Sequence, residues 1–439
     1  MIADALTPRL RRAYSPYTGI VRSLEECLHL PSEPPLFRAA CEVGRGDALL
    51  GGSLDHLTGI GGAGTSRAQA AAAAVGEALE RYALSYVDPA RLVVATAAEL
   101  GDHAVDPERF ALFSDSQYAR EGFPFAPFRR DTRVAWVGGW RVSDGAHAWL
   151  PAELVFLGDV TVPESVRIGY ATSSGAACSE TVAEALERGL GEVLERDAFM
   201  IAWTNRLSLP LLEWSDNESL VEVEQSLFAP TGLRYSVVDL SGFHRLPSFL
   251  GVVRAPHLTS GALGVGAGTS GGISRAWWKA LSEAFACRAA GTKLALLRPD
   301  RPYGPGGAGV VGFDDHIQYY ADRDRARAAA FLDASPRRVC TADIPRLLGK
   351  TAAERVAELA DRVRRAGSEA YAVDVTSPDV EELGLVVTKV TAPELCALDV
   401  PQGARFLGGR RLYEAAARLG LRERVLAGDD VNPDPHPFP

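Results

Sequence analysis

Gly76-Glu77-Ala78-Leu79-Glu80-Arg81 and Gly191-Glu192-Val193-Leu194-Glu195-Arg196 are nearly the same phrase written twice, each time after a stretch rich in Gly, Ser and Thr. Residues three and four apart share a helix face, so Glu77, Glu80 and Arg81 project together, and Glu192, Glu195 and Arg196 do likewise. If the two faces converge, four carboxylates crowd one small volume, and cations are needed to relieve their repulsion. Magnesium takes oxygen ligands and commonly accompanies nucleotide phosphates, so the pattern points to a magnesium-nucleotide site. For one copy alone a solvated helix face is the default reading, and such pairs contribute little there. The repetition shifts that balance, as do the apolar flanks at residues 68–75 and 198–203. Carboxylates on buried helices require partners.

The chain has 439 residues, 47% hydrophobic and 23% charged, enough for a substantial core and two or three lobes. A formal charge of −10, without a dense Lys/Arg run, argues against nucleic acid and against an anionic membrane surface. The six cysteines are scattered with no C-x-x-C pair, which speaks against a zinc knuckle or a disulfide framework and favours a reducing, cytoplasmic home. No apolar run near the N-terminus is long enough for a signal peptide or membrane span.

Residues 1–55 read as a lead-in segment, with a Gly-rich strand edge or hairpin at 45–53, and 56–439 as the main domain. Residues 59–66 read as a flexible turn opening into an Ala-rich helix that runs to about Tyr86. The second copy has the same grammar: residues 171–176 form a turn and a helix follows over about 180–205, with Ser179 as its cap. A third unit is looser, with a Gly-rich stretch at 264–270 before a helix carrying Lys279 and Glu283 on one face and Arg288 beyond them. Strands are expected at 134–142, 149–155, 235–240, 249–253 and 385–390, a loop at 298–312, and peripheral helices at 319–333 and 352–367. The chain ends Asn432-Pro433-Asp434-Pro435-His436-Pro437-Phe438-Pro439, and proline at alternate positions enforces an extended tail without helix or sheet pairing. Composition alone leaves open whether that tail is a disordered end. The whole reads as a layered α+β architecture with internal duplication of a Gly-rich loop plus a Glu-x-x-Glu-Arg helix.

These motifs together resemble the YcaO superfamily, most closely its azoline-forming peptide cyclodehydratases. The resemblance rests on G-E-x-x-E-R at 76–81, T-S-S-G-x-A at 172–177 followed by G-E-x-x-E-R-D-A at 191–198, and A-L-x-E-A with a following Arg at 280–288. It rests also on F-D-D-H-x-x-Y-Y at 313–320 and the terminal P-H-P-F-P. It implies a YcaO-like fold with ATP and Mg2+ held among the three helices. Glu77, Glu80, Arg81, Glu184, Glu192, Glu195, Arg196, Lys279, Glu283, Arg288 and Ser174 are the implied nucleotide residues, and Glu77, Glu80, Glu192 and Glu195 the implied metal ligands.

The implied reaction begins when a Cys, Ser or Thr side chain of a ribosomally made precursor peptide attacks the preceding backbone carbonyl. The oxyanion takes the γ-phosphoryl group of ATP, and loss of phosphate leaves a thiazoline or oxazoline; a poor leaving group becomes a good one. The tail would reach the active site, making Pro435, His436, Pro437 and Pro439 site residues, with the Pro439 carboxylate or His436 as proton acceptor. His436 packing beside Phe438 is the alternative. The implied partners are the precursor peptide, a separate leader-peptide-binding protein, a flavin-dependent azoline dehydrogenase and a second copy in a homodimer. Three positions that are polar in the family pattern are Ala63, Ala73 and Ala286 here. They motivate a different class of function, a non-catalytic scaffold subunit of a peptide-modifying complex. ATP-dependent thioamide formation with an external sulfur nucleophile is the third reading.

Overall fold

Alternate glycines in the strand Leu263–Thr269 strip the side chains from one of its faces, and a helix lies directly on that face. A Cβ on Gly266 would stand 2.4 Å from the Ala284 nitrogen, and one on Gly268 would stand 2.0 Å from the Ala276 carbonyl oxygen. Strand Ile60–Gly64 does the same beneath a second helix, where a Cβ on Gly62 would meet the Ala74 nitrogen at 2.4 Å. Both stretches are therefore strands, the earlier one in place of the flexible turn the sequence suggested; glycine serves close approach of helix to sheet. The helices concerned are α1 (Arg67–Ser85) and α3 (Ile273–Leu297); α2 (Val182–Thr204) lies between them in the chain.

The structure, a computed structural model, describes residues 2–29, 32–44, 60–160, 162 and 165–438. The expected hairpin at 45–53, Gly59, the boundary near residue 55 and Pro439 lie outside the described residues. The chain divides into two interleaved units, Met1–His29, Leu36–Val193 and Gly349–Leu395 in one, and Leu30–Pro35, Leu194–Leu348 and Cys396–Pro439 in the other. This differs from the lead-in plus single domain read from the sequence, because long-range pairing returns distant segments to each unit.

The first unit contains an antiparallel sheet of Val21–Cys27, Phe37–Val43 and Ile60–Gly64, which α1 covers. A six-stranded sheet orders Leu92–Ala95, Val134–Arg141, Tyr371–Asp374, Val386–Thr391 and Ala176–Ser179, with His147–Pro151 paired to Val134–Arg141. Its core joins Ala74, Ala78 and Leu79 of α1 to Val137, Leu150, Val373 and Val387. Ser66 caps α1, and Thr181 caps α2 through the Glu184 N–H, so Ser179 is a strand residue and not the cap.

The second unit is built on a sheet ordered Leu263–Thr269, Ser248–Arg254, Arg234–Asp239, Leu211–Glu213 and Arg338–Cys340, antiparallel except for its last pair. Its core gathers Phe199, Trp203, Val252, Val265, Tyr320 and Phe438. The helix expected over 319–333 is a helix at Phe313–Ala321 followed by a 3-10 segment at Arg325–Asp333.

The proline-rich tail is buried at Pro435–Phe438 and forms neither helix nor strand. Proline supplies no N–H, but each carbonyl still needs a donor. The carbonyls of residues 432 to 436 each receive one, from Arg405 (2.7 Å), Gln402 (2.7 Å), Trp203 (3.2 Å), Tyr320 (2.6 Å) and His316 (2.7 Å) in that order. A disordered end is thereby excluded for these residues.

Candidate functional site

In the first unit, α1 presents Glu77, Glu80 and Arg81 from successive turns. Glu77 accepts the Gly61 N–H at 3.3 Å and pairs with Arg81 at 2.9 Å. Glu192 of α2 accepts the Gly175 N–H at 3.0 Å. Burial pushes the carboxyl pKa of both Glu77 and Glu80 up; Glu192 adds to it by repulsion, while Arg81 opposes it. The remaining cation is one the sequence reading missed. Lys389, 4% exposed in the strand Val386–Thr391, donates to the Thr172 carbonyl at 2.6 Å and to the Ser174 carbonyl. Burial lowers its pKa to about 8, against the pull of Glu192 and Glu80. Its signal was a lysine inside an otherwise apolar strand, Leu385-Val386-Val387-Thr388-Lys389-Val390.

In the second unit, Glu195 of α2 is fully buried, with Arg196 at 3.1 Å and Lys279 at 3.5 Å, yet neither of its oxygens accepts a hydrogen bond among the described residues. Lys279 also reaches Glu283 at 3.7 Å, and Glu283 accepts the Ala267 N–H at 3.3 Å. Burial raises the Glu283 carboxyl to about 7; Lys279 and Arg196 work against this and Glu195 with it. One contact thus recurs three times: a backbone N–H of the Gly-rich segment donates to a glutamate of the following helix, at Gly61–Glu77, Gly175–Glu192 and Ala267–Glu283.

Not every expected residue joins these groups. Glu184 is exposed in the first turn of α2, beside Arg355. It lies two helical turns, about 12 Å, before Glu192. Arg288 is five residues past Glu283, which turns it about 140° round the helix; it is buried beside Glu33, and burial lowers its pKa. Ser174 is half-buried on the turn that Lys389 holds. Ala63 pairs with Arg38 across the sheet, Ala73 is exposed on α1, and Ala286 is half-buried on α3.

Among the described residues no three His, Cys, Asp or Glu side chains stand together as a ready metal-ligating group. Arg81, Lys389, Arg196 and Lys279 are the cations beside these carboxylates instead. The donor set nonetheless suits a hard cation, because Glu195 is buried without a hydrogen bond and its neighbour Glu283 is a carboxyl held above its ordinary pKa.

The tail contributes Phe438, over whose ring the Arg196 guanidinium lies 4.0 Å away. His436 has both nitrogens engaged: Nε2 donates to the Asp399 carbonyl at 2.7 Å and Nδ1 accepts the Phe438 N–H at 3.3 Å. It is 1% exposed, and burial drives its pKa well below the ordinary value. Its ring stacks on His316 at 4.0 Å and meets Phe199 edge-on, and neither nitrogen is left for a proton from a substrate. Pro435 and Pro437 are buried with it. Asp197, quoted in the second motif but given no role, proves an anchor: it accepts from Arg411 at 2.7 Å, His244 at 2.9 Å and the Cys396 N–H at 2.9 Å. Burial alone would raise its pKa, but Arg411 and His244 outweigh burial and hold it well below the usual range.

A family model described as YcaO cyclodehydratase, binding ATP and Mg2+, matches residues 61–396. No curated protein matches the chain. Among solved structures, a heterocyclase in complex with substrate and cofactor is 25% identical with a TM-score of 0.79, over 100% of this chain and 57% of that one. The heterocyclase TruD is 25% identical with a TM-score of 0.64, over 85% of this chain and 52% of that one. The YcaO protein of Methanopyrus kandleri bound with AMPPCP and Mg2+ shares the fold at 19% identity and a TM-score of 0.59, over 85% of this chain and 86% of that one. The chain therefore spans just over half the length of the two heterocyclases. No described helix is long and apolar enough to cross a membrane. With its motifs in order from the Gly-rich strand before α1 to the strand bearing Lys389, and its α+β fold shared with these structures, the chain belongs to the YcaO cyclodehydratase family.

Proposed function

We propose that the protein is an ATP-dependent cyclodehydratase that converts Cys, Ser or Thr residues of a precursor peptide into azolines. The observation that carries this reading is the glutamate that recurs behind each Gly-rich segment, oriented by a backbone N–H and accompanied by a lysine or arginine. We read that recurrence as internal duplication. In the first unit Glu77, Glu80 and Glu192 would hold Mg2+, with Ser174 and Arg81 toward the nucleotide; in the second, Glu195 and Glu283 offer the same oxygen chemistry, with Lys279 and Arg196 as cations. ATP with Mg2+ supplies the phosphoryl group that makes an amide oxygen a leaving group. The protein's part is to hold these side chains among fixed cations in a dry setting, where such cations act more strongly than in water.

The buried tail supports the azoline route over thioamide formation, since a rigid terminus places its last residues accurately. His436, being fully hydrogen-bonded, is not the proton acceptor on this reading. A leader-peptide-binding protein, an azoline dehydrogenase and a homodimer are the partners it calls for. The test is calorimetric titration with ATP and Mg2+, followed by peptide-stimulated phosphate release and loss of one water per ring. Saturable binding that disappears in Glu80→Ala and Glu195→Ala supports the proposal; full turnover in either variant sinks it.

Ala63, Ala73 and Ala286 favour a second reading, a non-catalytic scaffold that docks a peptide or an active paralogue. It requires that no combination of peptide and partner release phosphate.

A further inference from the structure

The peptide group joining Ser174 to Gly175 is planar, so fixing the direction of its carbonyl also fixes the direction of its N–H. Its carbonyl faces the Lys389 ammonium, and its N–H donates to Glu192 at 3.0 Å. The same ammonium takes the Thr172 carbonyl at 2.6 Å, and the next residue of the strand, Val390, donates its N–H to the Gly175 carbonyl at 2.8 Å. The turn is thus held by two successive residues of one strand. It is pressed so close that a Cβ on Gly175, at φ +84°, would stand 2.3 Å from the Val390 carbonyl oxygen. A cation on a peptide oxygen also polarises that peptide and strengthens its N–H as a donor. Glu80 and Glu192 both lie within range of the Lys389 charge.

We propose that Lys389 is a positioning residue: by clamping the Thr172 and Ser174 carbonyls it aims the Gly175 N–H at Glu192 and keeps Glu80 and Glu192 together as a cation-binding pair. The proposal rests on the magnesium-nucleotide reading for its function, but its geometric half stands apart from that reading.

The experiment compares wild type, Lys389→Met, Lys389→Arg and Glu192→Gln of the full chain by amide hydrogen exchange and by titration with Mg2+ and ATP. In Lys389→Met, exchange is expected to quicken across 172–176 while α1 and α3 keep their protection, and Mg2+·ATP affinity to fall by about tenfold or more, the scale of one lost charge-assisted hydrogen bond. Lys389→Arg keeps the charge and several donors and is expected to recover most of both. Unchanged exchange in Lys389→Met overturns the proposal, as does unchanged affinity in a wild type that binds. If wild type binds no Mg2+·ATP, the magnesium-nucleotide reading fails, and exchange at 172–176 alone decides Lys389. If Lys389→Met does not fold, Glu192→Gln decides: affinity unchanged from wild type shows that the clamp serves no binding carboxylate and overturns the proposal.

Discussion

The two units each set carboxylates beside a lysine, and they do so in opposite ways. In the first, Lys389 grows from a central strand, is 4% exposed and is held by two backbone carbonyls. In the second, the Lys279 side chain is 38% exposed on α3 and meets Glu195 and Glu283 at 3.5 and 3.7 Å, too long for good hydrogen bonds. A strand lysine hydrogen-bonded to backbone has nowhere else to go, whereas a helix-surface lysine can swing into water at little expense. The contrast separates a structural cation from an exchangeable one, although both neutralise the same kind of carboxylate.

The largest expected effect is on catalysis. Removing one carboxylate from either unit, by Glu80→Ala or Glu195→Ala, should lower peptide-stimulated phosphate release by about a hundredfold or more, as losing a group that stabilises transition-state charge does. Equal losses keep the two clusters on one footing; full turnover in either variant sinks the cyclodehydratase reading.

Next comes stability in the first unit. Gly175→Ala places a methyl against the Val390 carbonyl at a positive φ and should destabilise by about 2 kcal/mol or more. Gly76→Ala, on α1, meets nothing within 4 Å and should be neutral to slightly stabilising. Chemical denaturation of the two variants measures the difference, and equal midpoints would mean the turn is not pressed onto the strand.

The sharpest division of the two lysines is one of sign, though smaller in size. With Mg2+ alone, Lys279→Met should raise metal affinity up to about fivefold, because a half-exposed pair worth under ~1 kcal/mol no longer competes. Lys389→Met should lower it. Changes of the same sign, read by calorimetry, would erase the distinction between a fixed and a displaceable cation.

The smallest effect is a pH dependence confined to the second unit. Burial lowers the pKa of both His436 and His316; around them stand Asp399, Asp315, Arg405 and Arg196. With folded pKa values below the ordinary ~6.5, the unfolded chain binds protons first as pH falls. The contribution is therefore complete above that value and is lost as pH drops below it. Melting temperature against pH should fall less steeply on the acid side in His436→Gln than in wild type, and parallel curves would count against the assignment.

Much of the candidate site was legible along the chain because helices are local. A period of 3.6 residues puts Glu77 and Glu80, Glu192 and Glu195, and Lys279 and Glu283 on shared faces, whatever surrounds them. That same period carries Arg288 away from Glu283, which a motif read as a string of letters conceals. The glycine-rich stretches were visible too, but not their purpose. A Gly-rich sequence is compatible with a loop or with a strand lying flush against a helix, and only the atoms that a Cβ would meet decide between them.

What the sequence determined by itself, then, is the family, the α+β class, the three charged helices and the pairing of glutamates on them, all of which follow from periodicity and motif order. Tertiary structure alone decided that Lys389 is the cation of the first cluster, that His436 spends both nitrogens on backbone, and that the tail's carbonyls find donors in Arg405, Gln402, Trp203, Tyr320 and His316. All but the Phe438–His436 contact join residues dozens to hundreds of positions apart, and a buried polar group's partner depends on which segments meet in space, which no local pattern encodes.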